Sequence, residues 1–162
     1  MSSLFNTFFE ELENEIRSKL DSIRCKDIHD LYYNDFWDTL KEKVGSSDGF
    51  TGLSEVIVFI ILKELIEKEY GKLKRRKHLN DTYHFYNQKF AIGRGLTIRI
   101  SKNKRKPDIV IWKNPEGDLS ERIPDCAIEV KLYSTGGIKT VKEAIDRLKA
   151  LKDALKLSLI HI

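Results

Sequence analysis

Pro107-Asp108-Ile109-Val110-Ile111-Trp112, a turn-forming run Asn114-Pro115-Glu116-Gly117-Asp118, and then Asp125-Cys126-Ala127-Ile128-Glu129-Val130-Lys131 form the stretch that decides the fold. Two short segments of β-branched and aromatic residues joined by Asn, Pro and Gly read as an antiparallel hairpin. In such a pair the start of the first strand lies beside the end of the second, so Asp108 comes close to Glu129 and Lys131. With period two along a strand, Ala127, Glu129, Lys131 and Tyr133 share one face, and Cys126, Ile128, Val130 and Leu132 the other. Asp108 joins the face of Glu129 and Lys131 if the register pairs it with either. Neighbouring carboxylates disfavour each other's ionisation and call for a cation between them. Hard divalent ions, magnesium above all, suit such oxygen ligands. An ammonium two residues along can hold a phosphate oxygen or an attacking water.

These residues resemble the PD-(D/E)XK nuclease superfamily, which includes restriction endonucleases and Holliday junction resolvases. The motif here is Pro107-Asp108, 20 intervening residues, then Glu129-Val130-Lys131. The second Pro-Asp, Pro124-Asp125, is too close to Glu129 to leave room for a hairpin. The resemblance implies an α/β fold with a restriction-endonuclease-like core: helix, three-strand antiparallel meander, helix, strand, in a mixed sheet flanked by helices. That core is expected over residues 46–162, with a helical addition over residues 1–45 packed on it as one folding unit. It also implies a Mg2+-dependent endonuclease that hydrolyses DNA phosphodiester bonds, with Mn2+ as a substitute ion. Asp108 and Glu129 would hold the metal, the main-chain carbonyl of Val130 would be a further ligand, and Glu55 would contribute directly or through water. Lys131 would orient the attacking water or help deprotonate it. Duplex and branched DNA are both open as substrates, and a homodimer suits the length. The other reading is a catalytically inactive nucleic-acid-binding or assembly domain that keeps the nuclease fold.

A chain of 162 residues, 41% hydrophobic and 33% charged, suits one domain with a proper core. A net charge of +4 is only a mild pointer to a polyanionic partner, and its distribution matters more than its sum. Cys25 and Cys126 lie far apart with no CxxC spacing, which argues against a zinc cluster and a disulfide scaffold and for a reduced, cytoplasmic setting. The longest apolar run, residues 56–62, is too short to span a bilayer. His29, His78, His84 and His161 are scattered without metal-ligand spacing, and there is no GxSxG elbow.

Upstream, Leu4, Phe5, Phe8, Phe9, Leu12, Ile16, Leu20 and Ile23 recur at three and four, the stripe of an amphipathic helix. A second helix is expected over residues 28–44, before the breaker Gly45-Ser46-Ser47-Asp48-Gly49. A third covers residues 52–70, with Thr51 as cap and Gly71 as stop. Glu55 shares a stripe with Phe59, Leu62 and Ile66. It resembles the glutamate that many superfamily members carry on the helix before the sheet, and a first-turn glutamate favoured by the helix dipole is the plainer alternative.

Basic residues cluster twice. Lys72, Lys74, Arg75, Arg76 and Lys77 follow the third helix, as solvated helix-end cations or as DNA contacts. Strands are then expected over residues 83–90 and 96–101, separated by Ile92-Gly93-Arg94-Gly95, which lacks the spacing of a phosphate loop. If residues 96–101 pair with residues 109–112, the run Lys102-Asn103-Lys104-Arg105-Lys106 is a hairpin tip beside Asp108. Lys102, Lys104, Arg105, Lys106 and Arg94 are therefore candidates for contact with DNA phosphates. After Lys131, a capping box of Thr140 and Glu143 opens a helix at about Lys139, itself a further candidate for DNA contact. Residues 157–162 are expected to form a last strand.

Overall fold

The structure, a computed structural model, describes residues 2–30, 52–78, 82–100 and 103–130, together with residues 142, 143, 145, 146 and 149. It divides into two compact units, Met1–Leu65 and Ile66–Ile162.

In the first unit, α1 (Ser2–Lys19) carries Leu12, Ile16 and Leu20, one helical stripe. These pack with Leu53, Ile57, Ile60 and Ile61 of α3 (Leu53–Tyr70). Each such side chain taken out of water contributes about 1.5–3 kcal/mol. A short α2 (Cys25–Asp30) lies between them in the chain, and its N-terminal turn is closed by Asp27, whose carboxylate accepts the Arg24 amide at 2.7 Å. The helix expected over residues 28–44 falls mostly outside the described residues. The inward stripe of α3 differs from the expected one. The buried positions are Leu53, Ser54, Ile57, Val58, Ile60, Ile61, Lys63 and Glu64, whereas Glu55, Phe59, Leu62 and Ile66 are half-buried. Gly71, at φ +86°, ends the helix where the Gly71 amide still donates to Glu67.

The second unit is built on a five-stranded sheet of order β1-β2-β3-β6-β7, every pairing antiparallel. Its strands are β1 (Lys74–Lys77), β2 (Tyr83–Tyr86), β3 (Phe90–Arg94), β6 (Ile109–Lys113) and β7 (Cys126–Ile128). Between β3 and β6 stands a separate two-stranded ribbon of β4 (Ile98–Ile100) and β5 (Asn103–Arg105). An antiparallel sheet with helices is the α/β architecture expected. The last strand, which would make the sheet mixed, lies outside the described residues. Residues 142, 143, 145, 146 and 149 are helical, as the capping box implies.

Three local features depart from the sequence reading. Residues 83–90 are two strands, because the Asn87 side chain accepts the amides of Lys89 and Phe90 at 2.9 Å and turns the chain back. Its amide nitrogen ties the turn to the Tyr70 and Gly71 carbonyls. The run Lys74-Arg75-Arg76-Lys77 is an edge strand exposed at all four positions, with the Arg75 guanidinium 3.8 Å from the Tyr83 ring centroid. Residues 96–101 do not pair with β6. The early turn at Asn87 lets β3 take that position instead, so the run through Lys104 and Arg105 forms a ribbon strand with β4.

The way β3 ends explains its glycine. A Cβ on Gly93 would stand 2.1 Å from the Leu96 side chain, so only glycine lets Leu96 fold back over the sheet. Leu96 and Ile98 then cover Ala91, Val110, Trp112 and Ala127 together with Leu119. On the other face Ile92, Ile109 and Ile128 are also buried, which is why β6 reads as an unbroken apolar run rather than an alternation.

Candidate functional site

The β6–β7 hairpin forms as its sequence predicts, with Ile109 opposite Ile128, Val110 opposite Ala127 and Ile111 opposite Cys126. Continued one step, this register sets Asp108 opposite Glu129. Both then lie on the face of Val110, Trp112 and Ala127, since directly opposed residues share a face. The Asp108 carbonyl accepts the Gly95 amide at 2.8 Å, and its carboxylate accepts the Val130 amide at 2.7 Å. Asp108 is thus fixed from β3 on one side and from the end of β7 on the other. Glu129 is 9% exposed and Val130 8%. An acid this buried, facing a second acid, is an arrangement that a cation stabilises.

The long loop of the hairpin is held by its own polar groups. Asp125 accepts the Lys113 amide at 2.7 Å, and its own amide donates to Ile111. Arg122 donates to the Lys113 and Asn114 carbonyls at 2.7 Å, and its carbonyl takes the Trp112 indole N–H at 3.1 Å. Asn114 and Gly117 adopt φ values of 46° and 73°. The second Pro-Asp is therefore a loop fastener. Cys126 is a free, half-buried cysteine whose thiol is pushed up by burial and then by the neighbouring Asp125, the opposite of an activated nucleophile.

Lys106 precedes Asp108 by two residues in the chain. Its Cε is 3.6 Å from where a Cβ on Gly95 would stand, beside the amide bonded to Asp108. Lys104 and Arg105 are exposed on β5. Arg94 is exposed and opposes Ile109, so the register assigns it to the sheet face opposite the acids. Lys102, Lys131 and Lys139 lie outside the described residues. Glu55 sits half-buried in the first turn of α3, in the first compact unit. Among the described residues no three His, Cys, Asp or Glu side chains gather as a metal cluster. No helix among them is long and apolar enough to cross a membrane.

Two groupings escaped the sequence reading. Glu64 is buried in α3, with Arg17 donating to both of its carboxylate oxygens at 2.8 and 2.9 Å and Lys63 to one at 3.2 Å. The Arg17 hydrogen bonds, then Lys63, hold its pKa below the usual carboxylate value. The second grouping is His78 with His84, six residues apart in sequence, whose rings meet edge to face at 5.6 Å because β1 and β2 pair.

No curated protein and no solved structure matches the chain. A family model does, over residues 7–158, and it describes the N terminus of the Type I restriction enzyme R protein. The match spans both the α1–α3 packing and the hairpin with its opposed acids. This chain therefore belongs to the family of Type I restriction enzyme R protein N-terminal domains, a restriction-system family whose enzymes act on DNA.

Proposed function

We propose that the domain is a metal-dependent endonuclease of the PD-(D/E)XK kind, hydrolysing DNA phosphodiester bonds from the end of the β6–β7 hairpin. The observation that carries this reading is the cross-strand placement of Asp108 and Glu129, in a chain that belongs to a restriction-enzyme family. The donor set suits Mg2+: two carboxylates and the Val130 carbonyl, all hard oxygens on adjacent strand ends. Bound there, Mg2+ or Mn2+ supplies an activated water and neutralises charge developing on the phosphate.

The chain's own residues divide the remaining work. The Val130 amide donates to Asp108 Oδ2, aiming that carboxylate along the strand end. Pro107, fully buried, anchors the residue before it can swing. Lys131 would direct the attacking water and balance charge on the phosphate as the bond forms. Lys106, Lys104 and Arg105 would hold flanking phosphates of the DNA.

The test is cleavage of linear duplex, single strand and four-way junction in Mg2+ by the wild-type chain and by Asp108→Ala. Cleavage by the wild type that Asp108→Ala abolishes, with DNA binding retained, supports the nuclease. Binding without cleavage by the wild type, in Mg2+ and again in Mn2+, assigns the domain to binding or assembly instead.

A further inference from the structure

We propose that a cavity beside β1 and β2 is a second, separate anion site that takes a phosphate group. The cavity has a volume of about 250 Å3 and is walled by Arg76 and Lys77 of β1, His78, His84 of β2, and the turn carrying Asp118. At about 30 Å3 per water this is room for a tetrahedral anion with part of its hydration or its sugar.

The electrostatics favour an anion. The Arg76 guanidinium makes no hydrogen bond or ion pair among the described residues, and it acts on both Asp118 and His84 through space. Asp118, the wall's carboxylate, is already engaged: its Oδ1 accepts the Ser120 amide at 2.9 Å. That bond comes first, and His78 and Arg76 also help to hold its pKa low. The wall's carboxylate is thus spent on Ser120, while the Arg76 guanidinium faces the same space. A guanidinium with uncommitted donors suits an oxyanion better than a point charge does.

The imidazoles point the same way. His84 is 4% exposed, and its Nδ1 is buried with no hydrogen-bond partner among the described residues. His78 stacks edge-on against it and makes a 3.3 Å contact with the Thr97 carbonyl. A buried orphan nitrogen costs about 1–3 kcal/mol, a cost that a neighbouring anion offsets by stabilising the protonated ring. Arg76 opposes His84, which opposes Gly93, which opposes Val110, so the cavity lies on the same sheet face as Asp108 and Glu129. From strand spacing and rise, His84 stands on the order of 12 Å from Asp108 along that face. The cavity is therefore a site apart from the acids, and its assignment does not rest on the nuclease reading.

The phosphate can come from a free phosphate ester or from a nucleic-acid backbone, and one titration separates them. The full chain, without divalent metal and at ionic strength held constant with chloride, is titrated with inorganic phosphate, with a mononucleotide and with a short single-stranded oligonucleotide. The readout is the imidazole resonances of His78 and His84. Saturable movement of both is expected, weakened about tenfold or more in Arg76→Ala and strengthened in Asp118→Asn, which keeps the acceptor to Ser120 but removes the charge. Movement by the oligonucleotide at lower concentration than by inorganic phosphate identifies the backbone as the source. Movement by phosphate and the mononucleotide alone identifies a free ester. No saturable movement with any of the three, or movement unchanged in both variants, overturns the proposal.

Discussion

The two compact units bury ionisable groups in opposite ways. In the first, Glu64 is enclosed with its own cations: Arg17 grips both oxygens and Lys63 one, so the charge is balanced within the unit. In the second, Asp108 is held by a backbone amide and faces another acid, while His84 is buried with a ring nitrogen that has no hydrogen-bond partner among the described residues. The first arrangement needs nothing more to be stable. The second sets two acids opposite each other and buries an imidazole on the same sheet face, an arrangement that a bound ion would stabilise.

The contrast breaks most directly at Asp108. Asp108→Asn keeps the shape and the acceptor oxygen for Val130 but removes the charge. Cleavage in Mg2+ is expected to fall about 10^3-fold or more, since several kcal/mol of charge stabilisation is lost at about 1.4 kcal/mol per tenfold. The midpoint of urea unfolding is expected to stay the same or rise, because one of two opposed carboxylates has been neutralised. A large loss of stability with unchanged specific activity would move Asp108 into the same class as Glu64.

His84 sharpens the contrast through pH. Burial first, then the nearby His78 and Arg76, lowers its pKa to about 4. The unfolded chain then binds a proton between about pH 6.5 and 4 that the folded chain does not, so stability falls as pH falls through that window. The difference from the ordinary value of 6.5 corresponds to at most about 3 kcal/mol. His84→Leu is expected to flatten the pH dependence of unfolding between pH 4 and 6.5. An equally steep profile in the variant would put the titration elsewhere.

Glu64→Ala tests the balanced arrangement. Removing one partner of a buried pair costs about 3–5 kcal/mol when both ends are buried. Arg17 is 54% exposed and can return to water, which brings the expectation down to about 2 kcal/mol. Cleavage per folded molecule should be untouched.

What the sequence made legible follows the same division. The hairpin could be read because two apolar runs flank an Asn-Pro-Gly turn, and the period of two puts Asp108 on the face of Glu129 only if the register pairs it with Glu129 or Lys131, a condition that the β6–β7 register meets when continued one step. Helix α3 could be read because Leu, Ile and Val recur over five turns up to Gly71, although its inward stripe could not. A helix apolar on several sides offers no single moment to follow, and the buried Glu64 looked like a surface charge until Arg17 arrived from 47 residues away. Strand β1 was hidden for a related reason: four consecutive cations have no alternation to betray a strand, and only pairing with Tyr83–Tyr86 makes them one. The turn at Asn87 rests on side-chain hydrogen bonds to two amides, a signal too local to outweigh the apolar residues around it.

The displaced basic run gives the smallest effect and the finest test. Had residues 96–101 paired with β6, Lys104 and Arg105 would have sat at a tip directly over the acids. In the ribbon of β4 and β5 they are exposed strand residues instead, and Lys106 alone packs its stem against Gly95 beside Asp108. Cations in the ribbon are placed to meet phosphates flanking the reacting one, where each contact adds to affinity without choosing the bond. Lys104→Ala is therefore expected to weaken DNA binding a few-fold and to lower the slope of log affinity against log salt by about one, with the cleavage rate of bound DNA nearly unchanged. Lys106→Ala, with the same charge removed one strand end closer to Asp108, should lower the rate of bound DNA as well. Equal effects of the two variants on that rate would mean that the ribbon, and not only its last residue, reaches the acids.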